Sequence, residues 1–144
     1  MTAVLIGALV LGIVSGLRAF LAPAALYLAR GGVAGYVLAL VALGEFVGDT
    51  LPQTPSRKTS PQLIARVVSG AFVGWMLCAF LAAPPIAGAI CGVVGALIGT
   101  FGGAAVRASL IQRIGALPAA LTEDAIGIVL PVVVIMMLPS FRIA

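Results

Sequence analysis

The chain has no histidine, only four acidic residues and two cysteines, and charged side chains make up just 8% of its 144 residues. Each shortage closes off a class of function. Without histidine there is no Ser–His relay and no H-E-x-x-H zinc site. Cys78 and Cys91 lie in apolar stretches with no imidazole to join them, so they read as small buried hydrophobes rather than ligands of zinc or haem. No cofactor is expected. The net charge of +4 is spread thinly instead of forming the basic face that a nucleic-acid reader needs, so no nucleic-acid partner is expected. Charge is also too scarce to cover a soluble surface. What remains is 62% hydrophobic with a mean hydropathy of +1.27, the composition of a chain whose main partner is the lipid bilayer.

Length then sets the architecture. A hydrocarbon core of ~30 Å takes ~20 apolar residues per helix, and the chain has room for about five such crossings with no separate soluble domain. The expected fold is all-α, a polytopic membrane helix bundle, with residues 1–144 as a single transmembrane domain. Met1 to Ser15 lacks a basic leader and a convincing cleavage site, and reads as a retained first helix. The first apolar segment extends past Arg18 to about Ala29, either as one long tilted helix or as a helix broken near Pro23. Arg30, Gly31 and Gly32 make a turn. A second helix from Val33 to about Leu51 ends in a polar loop rich in proline and hydroxyl residues, which reaches Pro61. Pro84 and Pro85 divide the long uncharged stretch into a third helix near 62–82 and a fourth near 86–107. A fifth follows from Ala119 to Leu138, kinked at Pro131. Counting Lys and Arg on this five-span scheme sets Arg57, Lys58, Arg66 and Arg113 on the side of the N-terminus, against Arg30 and Arg142 on the other. The N-terminus is then cytoplasmic and the C-terminus outside.

Glycines recur four residues apart at Gly12/Gly16, Gly44/Gly48, Gly70/Gly74, Gly88/Gly92 and Gly95/Gly99/Gly103. Such spacing lays a flat stripe on a helix and lets another backbone come close. It predicts close helix packing with the fourth helix central, and faces that could also serve a second copy in a homodimer or higher oligomer.

Two short patterns repeat. Gly16-Leu17-Arg18-Ala19-Phe20-Leu21 parallels Ala105-Val106-Arg107-Ala108-Ser109-Leu110, and Ala42-Leu43-Gly44-Glu45 parallels Ala120-Leu121-Thr122-Glu123. With an odd helix between them, halves 1–58 and 84–144 would form an inverted repeat, helices 1–2 and 4–5 around the third, an arrangement used by transporters.

The same motifs, Gly16 to Leu21, Gly44-Glu45-Phe46-Val47-Gly48-Asp49 leading to Leu51-Pro52 and Thr54-Pro55-Ser56-Arg57, then Arg66 to Ala71 and Glu123-Asp124-Ala125, resemble the bacterial integral membrane family defined as domain of unknown function number 4126. The resemblance covers nearly the whole chain. It implies a small multi-helix membrane protein, set in the bacterial inner membrane, and no particular activity.

Function must come from the charges. An ionisable group inside a membrane helix costs ~2.5–3.5 kcal/mol on insertion scales. All four acids of the chain nevertheless lie in helical segments. Glu45 and Asp49, spaced i, i+4, share a helix face and must share a proton, bind a cation or meet an arginine. Arg18 and Arg107 are the expected partners. Arg18, Glu45, Asp49, Arg107, Glu123 and Asp124 are therefore the candidate site for a small ion or solute, in a permease or channel-like protein coupled to protons or a cation. The alternative is an accessory membrane subunit whose charges are internal salt bridges. Snorkelling to the interface is the third use open to Arg66 and Arg107. Catalysis has little to work with, since Gly44 to Asp49 lacks the G-x-G-D spacing of intramembrane aspartyl proteases, and no enzyme is expected.

Overall fold

A computed structural model of the chain describes residues 1–49 and 60–138 and, among these, shows six helices and no strand. They are α1 (Thr2–Leu17), α2 (Leu21–Arg30), α3 (Val33–Asp49), α4 (Ser60–Phe80), α5 (Pro85–Ile114) and α6 (Ala116–Met137). Three of them, α4, α5 and α6, are long and apolar enough to cross a membrane, and α1 and α3 are shorter apolar helices.

Of the two readings of the first apolar segment, the broken one holds: the break falls at Arg18 to Phe20, just ahead of Pro23. Pro23 falls in the first turn of α2, where its missing N–H has no helical partner to lose. Arg18 is extended, with φ −143° and ψ 118°, and the chain doubles back. The tip of α1 meets Asp124 of α6 through Arg18, the start of α2 packs beside Gly127 of α6, and the end of α2 puts Arg30 over the Phe80 ring at the end of α4. Because α1 runs opposite to α4 and α6, and α2 runs with them, α1 and α2 form a hairpin. Its second arm has ten residues, or ~15 Å at 1.5 Å per residue, half of a hydrocarbon core.

Gly31 and Gly32 adopt φ of +75° and +123°, backbone that only glycine takes without strain, and turn the chain into α3. Gly35 then lies on Tyr27 and Leu28 of α2, while Glu45 comes back to Ala19 and Phe20. At the α4–α5 corner Ala82 sits at φ +51°, and the N–H of Ala83 donates to the Cys78 carbonyl. Pro84 and Pro85 then stop α4 and start α5, with Pro85 in the first turn.

The glycine stripes form the core contact as expected. Gly12 and Gly16 of α1 rest on Gly92, Ala96 and Gly99 of α5, and Gly70 and Gly74 of α4 rest on Gly92 and Gly88. A Cβ added to Gly95 or Gly99 would fall on the backbone of α1, at Leu9 and Ile13. Gly103 packs on Leu17. The exception is Gly44, where an added Cβ meets nothing within 4 Å. The side-chain surroundings of position 48 lie outside the described residues. Leu11, Val14, Leu26, Val73 and Leu77 fill the core between α1, α2 and α4, each fully buried.

These contacts also fix direction, and they overturn two expectations. Gly12 meets Gly92, Gly16 meets Gly99 and Leu17 meets Gly103, so α1 and α5 run parallel. An inverted repeat would set the Arg18 helix and the Arg107 helix antiparallel. The break at Arg18 also adds one reversal to the five-span scheme. Gly7 near the start of α1 packs on Val134 and Leu138 at the end of α6, so residues 1 and 138 share one end of the bundle instead of lying on opposite sides.

Candidate polar site at the hairpin turn

A helix that stops inside a bundle leaves carbonyls at one end and N–H groups at the other without helical partners. In a membrane these must be met by protein or by a water-filled cavity. The Arg18–Phe20 turn lies at the level of Arg66, six residues into α4, ~9 Å from its start. Its first two residues are buried, Arg18 and Ala19 being 3% and 5% exposed, while Phe20 is exposed.

Its partners come from every neighbouring helix. Arg66, only 2% exposed, donates from Nη1 to the Gly16 carbonyl at 2.6 Å and to the Leu17 carbonyl at 2.8 Å. Thr100 of α5 donates its hydroxyl to the same Gly16 carbonyl at 3.2 Å, and Ser69 of α4 donates to the Ala19 carbonyl. On the other face, Glu45 accepts the Ala19 N–H at 2.8 Å and the Phe20 N–H at 3.1 Å. The arrangement follows the helix dipoles: a cation sits on the carbonyl end of α1 and an anion on the amide end of α2. Glu45 and Arg66 also face one another, Oε1 to Nη2, at 3.8 Å.

Beside this turn lie the other two acids. Arg18 donates from Nε and Nη2 to one oxygen of Asp124 at 2.9 and 2.6 Å, tying α1 to α6. Arg107 donates to Glu123 at 3.1 Å, tying α5 to α6. Glu123 is 8% exposed and lies within reach of Gly103, which packs on Leu17. Five of the six candidate residues thus gather around one turn, with partners different from those expected. Arg18 takes Asp124 and Arg107 takes Glu123, while Glu45 takes the turn itself and Arg66. The side chain of Asp49 lies outside the described residues.

The sequence reading missed Arg66 as a member of the site, along with Ser69, Thr100 and Gln62. One signal was available: Arg66-Val67-Val68-Ser69-Gly70 sets a cation, a hydroxyl and a glycine on one side of an otherwise apolar helix. That face suits a polar backbone, not an interface where a side chain snorkels.

A recess of about 190 Å³ opens at the turn, lined by Ala19, Phe20, Glu45, Gln62, Ala65 and Arg66. The side-chain oxygen of Gln62 is buried there without a hydrogen-bond donor among the described residues. Among the described residues no three His, Cys, Asp or Glu side chains gather as metal ligands would. Comparison with protein-family models, curated proteins and solved structures yields no match.

Proposed function

We propose that the protein is a small bacterial inner-membrane permease that passes a proton or small cation, with the α1–α2 turn as its polar site. The observation that carries this reading is the turn itself. An interrupted helix brings polar backbone to membrane depth, and next to it a recess holds a carboxylate and an unmatched acceptor. Transporters place discontinuous helices at their ion sites for the same physical reason, since helix ends supply partial charges without ionisable groups. Glu45 is the residue an entering cation meets. Arg66 holds the carbonyl end of α1 closed, and Gln62 offers the acceptor. Arg18–Asp124 and Arg107–Glu123 keep α6 in place beside the turn. Kinship with the membrane family whose motifs the chain resembles belongs to this proposal, as does assembly into a homodimer through outward faces of the bundle.

Accessibility tests the reading. With Cys78→Ala and Cys91→Ala as background, Ala65→Cys should react with a small water-soluble thiol reagent in vesicles, and an excess of permeant cation should slow it. A cysteine there that reacts only with lipid-soluble reagents would mean that the recess is dry.

A second reading has an observation of its own. Ion pairs among the described residues join different helices, α1 to α6, α5 to α6 and α3 to α4. That is the pattern of an accessory subunit held rigid by internal salt bridges.

A further inference from the structure

The helix that carries Glu45 is lightly seated. From Val33 to Glu45 only Gly35 and Ala42 are buried, so the methyl of Ala42 is the one side chain that α3 buries over that stretch. It packs chiefly on α2, and most closely at its start. A Cβ added to Gly35 would fall on the backbone of Tyr27 and Leu28, whereas one added to Gly44 meets nothing within 4 Å. Ahead of Gly35 stand Gly31 and Gly32, also with nothing within 4 Å of an added Cβ, so the connection has room to absorb a change of direction. At the other end the Glu45 carboxylate accepts the N–H groups of Ala19 and Phe20 and faces Arg66 of α4. The helix is thus an arm, fixed by backbone packing at its start and by one carboxylate near its end.

We infer that this arm is the moving part of the polar site, released when an alkali-metal cation takes Glu45 from the turn. The inference rests on the permease reading and names the step that admits the ion. Release needs another acceptor for the N–H of Ala19, which is buried with its residue. Gln62 supplies it, since its side-chain oxygen is buried without a donor among the described residues and lines the same recess as Ala19, Phe20 and Glu45. The cation favours the released arm. On the turn each Glu45 oxygen already accepts an N–H, and Oε1 lies 3.8 Å from the Arg66 guanidinium, which repels a second positive charge. Off the turn both oxygens are open, and such a difference in affinity is what lets a ligand shift a two-state equilibrium. Arg66 stays behind on the Gly16 and Leu17 carbonyls. A lone carboxylate offers hard oxygen donors and a single negative charge, which suits a monovalent metal ion. The movement is small. Glu45 lies ten residues beyond Gly35, ~15 Å of helix, so a tilt of ~20° about Gly35 carries the carboxylate ~5 Å, out of hydrogen-bond reach.

The experiment measures distances between spin labels on the full-length chain in vesicles, with Cys78→Ala and Cys91→Ala as background. Labels at Leu43→Cys and Ile98→Cys report the arm against α5, and labels at Ile64→Cys and Ile98→Cys give a reference within α4 and α5, all three positions being exposed. With choline as the only added cation, wild type should show one arm distance. Sodium or potassium on both sides of the membrane should add a second, shifted arm distance. Glu45→Gln, which weakens the hold while keeping the shape, should show the shifted distance in choline. Gln62→Leu should lose the response to sodium and potassium, because the freed N–H then has no acceptor. The reference distance should stay constant throughout. An arm that sodium and potassium leave in place in wild type overturns the inference, and so does a response that Gln62→Leu leaves intact. If Glu45→Gln fails to fold, wild type and Gln62→Leu decide the matter between them. Vesicles in which the arm responds while no ion crosses would uphold the latch and end the permease reading.

Discussion

The Glu45 carboxylate holds the backbone N–H of Ala19 at 2.8 Å across 26 residues of sequence, and a second bond to Phe20 at 3.1 Å makes it the cap of the hairpin turn. This one side chain takes up two N–H groups of the turn that leads into α2. Glu45→Ala should therefore cost about 3 kcal/mol, the scale of two charge-assisted hydrogen bonds with a buried arginine left facing the gap. Glu45→Gln retains one acceptor and should cost less. Unfolding in mixed detergent, followed by circular dichroism, measures both, and equal stability of all three proteins would show that the turn does not depend on its cap.

Arg18 and Asp124 pose a different test. Removing either partner breaks a buried ion pair, with a penalty of ~3–5 kcal/mol. Removing both together should recover most of that loss. A double-mutant cycle on Arg18→Gln and Asp124→Asn should give a clear coupling energy, and additive losses would mean that the pair contributes nothing to the fold.

Glycine substitutions should divide sharply by what lies above each position. Gly95→Leu and Gly99→Leu drive side chains into the backbone of α1 and should abolish folding. Gly102→Leu and Gly44→Leu meet open space within 4 Å and should be well tolerated. Yield of monodisperse protein after extraction separates the two groups, and losses of similar size at all four positions would contradict the packing described for α5.

Topology follows from the extra reversal at Arg18. Residues 1 and 138 share one end, and Ser60, which opens α4, lies at the other. Arg113 ends α5 at the end where Ser60 opens α4, and Arg57 and Lys58 come just before Ser60 in sequence, so the positive-inside rule predicts Ser60 on the cytoplasmic side and the opposite side for a reporter at either terminus. Reporter fusions ahead of Thr2 and after Ala144 should agree with each other and oppose one at Ser60. Opposite signals from the two termini would restore an odd number of crossings.

Much of this architecture was legible in the sequence, and the part that was not has a common cause. Composition and glycine spacing led directly to a helical membrane bundle with α5 at its centre, because close packing in lipid leaves that imprint on residue size. Charge economy led to the residues that gather, since each ionisable group at membrane depth needs a partner. Which partner is a question of three-dimensional register. Arg18 and Asp124 are 106 residues apart, and no local pattern pairs them. A break in the first apolar segment, near Pro23, is one of two readings the sequence leaves open, and its place at Arg18 to Phe20 is not legible because Ala19-Phe20 would continue a helix. It is held open from outside, by Arg66, Ser69, Thr100 and Glu45. The five-span scheme counts no reversal there, which shifts the direction of every later helix and with it the sense of the repeat.

Gln62 gives the most direct measurement of the central claim. Its side-chain oxygen is buried at the turn without a donor among the described residues, so in a purely structural core Gln62→Leu should leave stability unchanged or raise it. In a permease the same atom is part of the path. The measurement is proton and monovalent-cation flux into vesicles reconstituted with wild type or Gln62→Leu, alongside unfolding of each protein in detergent. The permease account predicts flux in wild type, none in Gln62→Leu, and a variant at least as stable as its parent. Equal flux in both proteins, or no flux in wild type for a proton or any cation tried, would contradict it and leave the ion pairs between helices as the frame of an accessory subunit.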